Sequence, residues 1–246
     1  MTEHWQQPRK LEPLAAGVVH VWQARLDTYP SLSTFLSADE QARAERLRAQ
    51  EVRERFVAGR SWLRSVLGRY LEAEPGQVCF RYGPQGKPQL PGDGLRFNLT
   101  HSHGLALIAV GQDREVGIDV EAIRLVPDLE GLAARYFSPE EVRSLQQVPV
   151  ERRTEAFFLC WTRKEAYVKA TGAGLGQRLD RFTVSLIPGG PARLLDVADD
   201  PDELGRWSMH DLNPAAGFAA ALVVQGQGCI PICQHWPEDW CRPAEK

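Results

Sequence analysis

The chain has 246 residues, enough for one large core or two modest ones, and is 43% hydrophobic and 25% charged with a net charge of −3. That balance belongs to a globular protein in water and excludes the strongly basic domains typical of nucleic-acid binders, while no apolar run approaches the roughly 18 residues a membrane helix needs. The polar residues 1–10 lack the form of a signal peptide, and Cys79 and Cys160 stand alone in apolar surroundings as reduced thiols do, so a cytoplasmic protein is expected.

In chain order, residues 17–26 alternate enough to predict an early strand. Ser37-Ala38-Asp39-Glu40 has the form of a capping box that opens a helix. Val52, Phe56, Leu63, Leu67 and Tyr70 keep helical spacing, so a second helix, or a continuation, is predicted from about 52 to 71. Eight arginines (43, 46, 48, 53, 55, 60, 64 and 69) lie along these helices. Most fit a solvated face paired with Asp39, Glu40, Glu45, Glu51 and Glu54; two or three could instead grip phosphate, since a guanidinium fork binds its oxygens in pairs.

Residues 82–88, rich in Gly and Pro, predict a loop in which Lys87 could simply be solvated. Leu95, Phe97 and Leu99 alternate with Arg96, Asn98 and Thr100 in a half-buried strand that leads into His101-Ser102-His103, and residues 105–110 form a second apolar strand. The histidine pair could be half of a metal site, a phosphate contact or structural. Ser138-Pro139-Glu140-Glu141 marks a firm helix start. The closing third predicts strands at 182–187 and 216–224, separated by a polar stretch. Cys229, Cys233, His235 and Cys241 match no common zinc spacing, and a structural role is expected for them.

Two stretches carry the chemistry. Residues 117–121, GIDVE, alternate as a strand with Ile118 and Val120 toward a core and Asp119 and Glu121 on the other face. Residues 157–175 predict a helix stopped by Gly172, on which Trp161, Glu165 and Lys169 fall at i, i+4 and i+8, with Lys164 beside them. Two carboxylates on a strand face, joined by a third from the helix, repel one another unless a cation lies between them, and hard oxygen ligands suit Mg²⁺. Taken alone, Glu165 and Lys169 could also be an ordinary surface pair.

The set Phe97-Asn98-Leu99-Thr100-His101-Ser102, Gly117-Ile118-Asp119-Val120-Glu121 and Trp161 to Lys169 (WTRKEAYVK), with Gly86-Lys87-Pro88 and Val19-His20-Val21-Trp22, closely resembles the Sfp-type phosphopantetheinyl transferases. The resemblance implies an α+β fold of two similar α/β lobes related by pseudo-twofold symmetry, with coenzyme A in the cleft between them. It also implies transfer of the phosphopantetheine arm to a serine of an acyl, peptidyl or polyketide carrier protein. By match to the motifs, Asp119, Glu121 and Glu165 would hold Mg²⁺, Lys169 would meet the pyrophosphate with Lys164 near it, His101 and Arg55 would contact phosphates, and Lys87 and Thr100 would line the nucleotide pocket. Thr100 stands where serine is commoner in the family and keeps the hydroxyl. Lobes of 1–114 and 115–246, a monomer, Glu165 as base directly or through a water, and a carrier-docking surface between 120 and 138 complete the expectation. Two other readings remain open at this point: a catalytically silent module that binds coenzyme A or a carrier, and a zinc hydrolase built on His101, His103 and Asp119.

Overall fold

The computed structural model describes residues 5–92, 94–198 and 200–241; residues 1–4, at the polar start, lie outside them. Strand β1 (Val18–Arg25) is followed by helices α1 (Ala38–Arg46) and α2 (Gln50–Leu71), the short strands β2 (Arg81–Tyr82) and β3 (Pro88–Gln89), and the hairpin β4 (Leu95–Ser102) and β5 (Leu105–Gln112). Then come β6 (Val116–Ala122), α3 (Leu129–Tyr136), α4 (Pro139–Gln147), α5 (Arg153–Thr171), β7 (Phe182–Val184), β8 (Leu194–Val197), α6 (Glu203–Arg206), and the hairpin β9 (Trp207–Leu212) and β10 (Phe218–Gln225). Strand β11 (Ile230–His235) follows, and a 3-10 turn (Glu238–Cys241) comes after it.

The topology repeats. In the first sheet β1 pairs antiparallel with β5, which pairs with β4; in the second β6 pairs antiparallel with β10, which pairs with β9. Each half therefore runs strand, long helix, hairpin, with the hairpin's second strand in the middle of the sheet. The extra strand β11 returns to the first half and pairs parallel with β1, so that sheet draws on both ends of the chain.

Three apolar clusters follow from this arrangement. One lies between α2 and the first sheet around Trp22, Trp62, Leu63 and Ile108. A second lies between the two sheets, where Val19, Val21 and Leu107 meet Ile118, Val120 and Leu222. The third packs α5 against the second sheet through Phe157, Tyr167, Ala219 and Ala221. The alternation read in GIDVE is thus realised: Ile118 and Val120 enter the inter-sheet core while Gly117, Asp119 and Glu121 face α5.

Gly117 explains how close that helix comes. A Cβ there would lie 2.1 Å from the Ala166 carbonyl oxygen and 2.3 Å from the Ala170 nitrogen, so only glycine lets α5 rest on β6 at this point. Helix α5 ends at Gly172 with φ +71°, the left-handed stop its sequence predicts.

Several features depart from expectation. Helix α3 occupies part of the stretch 120–138 expected to dock a carrier, where no helix is predicted, and is opened by Asp128, whose side chain accepts from the Gly131 N–H. Strands β8 and β9 lie inside the stretch read as a polar connection. Among the described residues no helix is long and apolar enough to cross a membrane.

Candidate active site

The site is built where β4, β6 and α5 meet. On α5, Trp161, Glu165 and Lys169 are the partly exposed positions of a stretch whose other residues from Thr162 to Ala170 are buried, which is the stripe the helical spacing predicts. Lys169 does not pair with Glu165 one turn away. Its amine reaches across to β6 and donates to Asp119 Oδ1 at 2.6 Å, to the Ile118 carbonyl at 3.2 Å and to Thr100 Oγ1 at 3.3 Å.

Asp119 is 5% exposed, and its second oxygen, Oδ2, has no hydrogen-bond partner among the described residues. Burial pushes its pKa up to about 6 against the pull of Lys169, and the charges of Glu121 and Glu165 add to the rise. Glu165 is raised in the same way, by burial first, with Lys169 opposing and Glu121 adding. The three carboxyls therefore sense one another, as the strand-plus-helix argument requires.

Those observations bear on whether the residues suit a metal ion. A buried carboxylate oxygen without a donor, flanked electrostatically by two more acids, is a hard-oxygen environment short of positive charge, and it fits Mg²⁺. As the side chains stand, no three His, Cys, Asp or Glu among the described residues form a ready-made metal cage, and Lys169 occupies Asp119. The same observation offers nothing to a zinc centre on His101, His103 and Asp119. Cys229 and Cys233 are buried, Cys229 with its thiol pushed up to about 11 by burial, and the side chain of Cys241 lies outside the described ones.

Thr100, on β4, serves β6 twice. Its hydroxyl donates to Asp119 Oδ1 at 3.1 Å and accepts from the Val120 N–H at 3.4 Å. His101 points to the opposite side of the strand with one edge of its ring open to solvent; desolvation of the rest of the ring, then the Lys169 and Arg55 charges, lower its pKa, with Glu121 opposing. Arg55, on α2, is therefore within electrostatic reach of His101. Its guanidinium is held by Asp27 and Glu51, both at 2.8 Å. Asp27 itself lies against Gly104 in the β4–β5 turn, where a Cβ would come within 2.1 Å of its carboxylate.

Two predicted contacts are differently employed. Lys164 does not face the cleft: one residue before Glu165 is a 100° turn of the helix, and there its amine is fully buried, 2.8 Å from the equally buried Glu141 and bonded to the Leu179 and Phe182 carbonyls. It anchors α5 to α4 and β7 and has no route to a bound nucleotide. Lys87 donates to Glu115, to the Val116 carbonyl and, at 2.8 Å, to the Lys169 carbonyl, tying the β2–β3 loop to the last turn of α5. Among the arginines, Arg60 and Arg64 are bound by the buried Glu40, Arg53 by the Leu47 carbonyl, and the exposed Arg69 lies over the Trp240 ring, which leaves Arg43, Arg46 and Arg48 exposed on or beside α1 and Arg55 half-exposed on α2.

Comparison with known proteins decides what kind of site this is. Residues 115–223 match the family model described as the 4'-phosphopantetheinyl transferase superfamily. The 4'-phosphopantetheinyl transferase HetI of Nostoc sp. is 44% identical over 232 residues, covering 91% of this chain and 94% of that protein. The chain belongs to the 4'-phosphopantetheinyl transferase superfamily. A further superfamily member, the 4'-phosphopantetheinyl transferase Sfp of Bacillus subtilis, is 30% identical over 154 residues, covering 62% of this chain and 67% of that one. Among solved structures, the Thermotoga maritima holo-[acyl-carrier-protein] synthase aligns at a TM-score of 0.35 with 32% identity, over 46% of this chain and 62% of that one. Like its superfamily relatives the chain is a transferase, and the matched segment 115–223 contains all three carboxylates and Lys169.

Sequence reasoning did not single out Asn98 or Ser102, although their signal was visible as the polar half of the β4 alternation. Asn98, Thr100 and Ser102 are each at most 8% exposed, so that half of the strand faces protein, not water.

Proposed function

We propose that this transferase moves the 4'-phosphopantetheine arm of coenzyme A onto a serine hydroxyl of an apo acyl, peptidyl or polyketide carrier protein, with Asp119, Glu121 and Glu165 holding Mg²⁺. The observation that carries the metal reading is the buried, donor-free oxygen of Asp119, with Glu121 and Glu165 raising its proton affinity. When bound, the ion neutralises charge on the diphosphate.

The chain's own groups supply the remaining chemistry. Lys169, half-exposed at the cleft, offers its ammonium to the pyrophosphate and balances charge as the bridging oxygen leaves. Glu165 takes the serine proton, directly or through a water; burial has already raised its proton affinity toward the working pH, which suits a general base. The serine oxygen forms its bond to phosphorus as the bond to the departing adenosine 3',5'-bisphosphate breaks.

His101 and Arg55 meet the nucleotide's phosphates, Arg55 exchanging its exposed contact with Asp27 for them, and Arg43, Arg46 and Arg48 supply further positive charge. Thr100 and Lys87 shape the nucleotide pocket from beneath, since both amine and hydroxyl are engaged with β6 and α5. The division into lobes of 1–114 and 115–246, a monomer with both lobes in one chain, and a cytoplasmic location belong to the same reading, with β11 crossing back to the first lobe.

Incubation with coenzyme A, Mg²⁺ and a panel of apo-carrier proteins, read by intact mass, tests it. A gain of one phosphopantetheine on at least one carrier is expected. Tight coenzyme A binding with no mass gain on any carrier would reduce the chain to a binding module.

A further inference from the structure

The two sheets face each other across the inter-sheet core, and along one side their edges are β4 and β6. No backbone ladder joins these two strands. Instead three alternate side chains of β4 each accept from an N–H of β6: Asn98 Oδ1 from Ile118 at 2.9 Å, Thr100 Oγ1 from Val120 at 3.4 Å, and Ser102 Oγ from Ala122 at 3.2 Å. The offset is constant, so the three rungs set the register of one lobe against the other.

Two of the rungs do more. A hydroxyl has one proton, and in each case a carboxylate takes it: Thr100 donates to Asp119 at 3.1 Å and Ser102 donates to Glu121 Oε2 at 2.8 Å. Because the Ser102 proton is committed to Glu121, the His103 Nδ1 found 3.2 Å from the same hydroxyl must be the protonated nitrogen and donate to it. The Asn98 rung stands beside Gly117, which has no side chain to serve. The pattern is thus one amide that only joins the lobes and two hydroxyls that join the lobes and orient an acid.

We propose that Ser102 is a positioning residue for the metal site: its buried hydroxyl, donated from the other lobe, fixes the Glu121 carboxylate, so that ion affinity depends on this one hydrogen bond. This rests on the reading of Glu121 as a ligand. An outer hydrogen bond to a ligating carboxylate typically governs about 10- to 100-fold of metal affinity.

The test is Mn²⁺ affinity, followed by the electron paramagnetic resonance of free Mn²⁺ in the presence of coenzyme A and the absence of a carrier. Ser102→Ala is expected to weaken binding by about 10- to 100-fold. Ser102→Thr, which keeps the hydroxyl, is expected to stay within about threefold of wild type, a small part of that range. Asn98→Ala is expected to lower the melting temperature while leaving Mn²⁺ affinity unchanged. If Ser102→Ala does not fold, Ser102→Cys, nearly equal in volume but a weak donor, carries the same expectation. Mn²⁺ affinity unchanged in Ser102→Ala (or, if that does not fold, in Ser102→Cys), or weakened equally by Asn98→Ala, would overturn the proposal alone. A wild-type protein that binds no Mn²⁺ would overturn it together with the metal reading.

Discussion

Lys169 and Asp119 meet at 2.6 Å between α5 and β6, and the contact uses only one carboxylate oxygen, leaving the other buried and without a donor among the described residues. A carboxylate buried this deeply for a structural purpose would normally have both oxygens satisfied. The pair instead leaves room for a second positive charge, and several consequences can be measured.

The first concerns pH and metal together. Asp119 titrates at about 6 in the folded protein against 3.8 ordinarily, so the folded state holds this proton more tightly than the unfolded chain does. Its charge therefore costs stability above about pH 6, and that cost is relieved as pH falls toward 3.8. Mg²⁺ should relieve it differently, by pairing with the charged form. Mg²⁺ is expected to raise the melting temperature at pH 7.5 and to have little effect at pH 5, as followed by scanning calorimetry.

Asp119→Asn should separate stability from function. Without metal at pH 7.5 the variant is expected to melt no lower than wild type, since the buried charge is gone. Its Mg²⁺-induced shift should vanish and labelling of a carrier should fall at least 100-fold, of the order seen when a transition-state charge contact is lost. A lower melting temperature in the variant would mean that Lys169 needs Asp119 more than burial penalises it.

The two lysines of α5 should behave as opposites. Lys164→Met strands the buried Glu141 and is expected to cost about 3–5 kcal/mol in denaturant unfolding, with part recovered in the double variant with Glu141→Gln. Lys169→Met, at a half-exposed site, should unfold near wild type and lose most transfer activity.

Coenzyme A affinity should depend on His101 protonation. Burial and the Lys169 and Arg55 charges keep its pKa below the ordinary value in the free protein, and a phosphate beside the ring would raise it. Binding then takes up a proton, so the His101 contribution is full at low pH and lost as pH rises through the pKa of the complex. Calorimetric affinities from pH 6 to 8 should show a steeper loss for wild type than for His101→Gln.

Much of this site was legible in the chain. The positions of Trp161, Glu165 and Lys169 follow from helical spacing, and the outward face of Asp119 and Glu121 from strand alternation, because both periods are local properties of the backbone. Lys164 was not legible, since a charged residue next to a functional one reads as exposed until its partner, Glu141, is known, and that partner lies 23 positions away on another helix. The polar face of β4 is opaque in sequence for a related reason: alternation shows that Asn98, Thr100 and Ser102 share a face, but not that β6 satisfies them. Strand β11 escaped assignment to the first sheet because its pairing with β1 spans nearly the whole chain.

The most direct measurement is phosphopantetheine transfer to an apo-carrier by Asp119→Ala and Glu165→Ala proteins whose folding is verified by circular dichroism, with intact mass as the readout. The account predicts that each substitution nearly abolishes the mass gain at saturating Mg²⁺ and coenzyme A. Wild-type rates in both folded variants would contradict it, since acids from β6 and α5 would then have no shared part in the reaction.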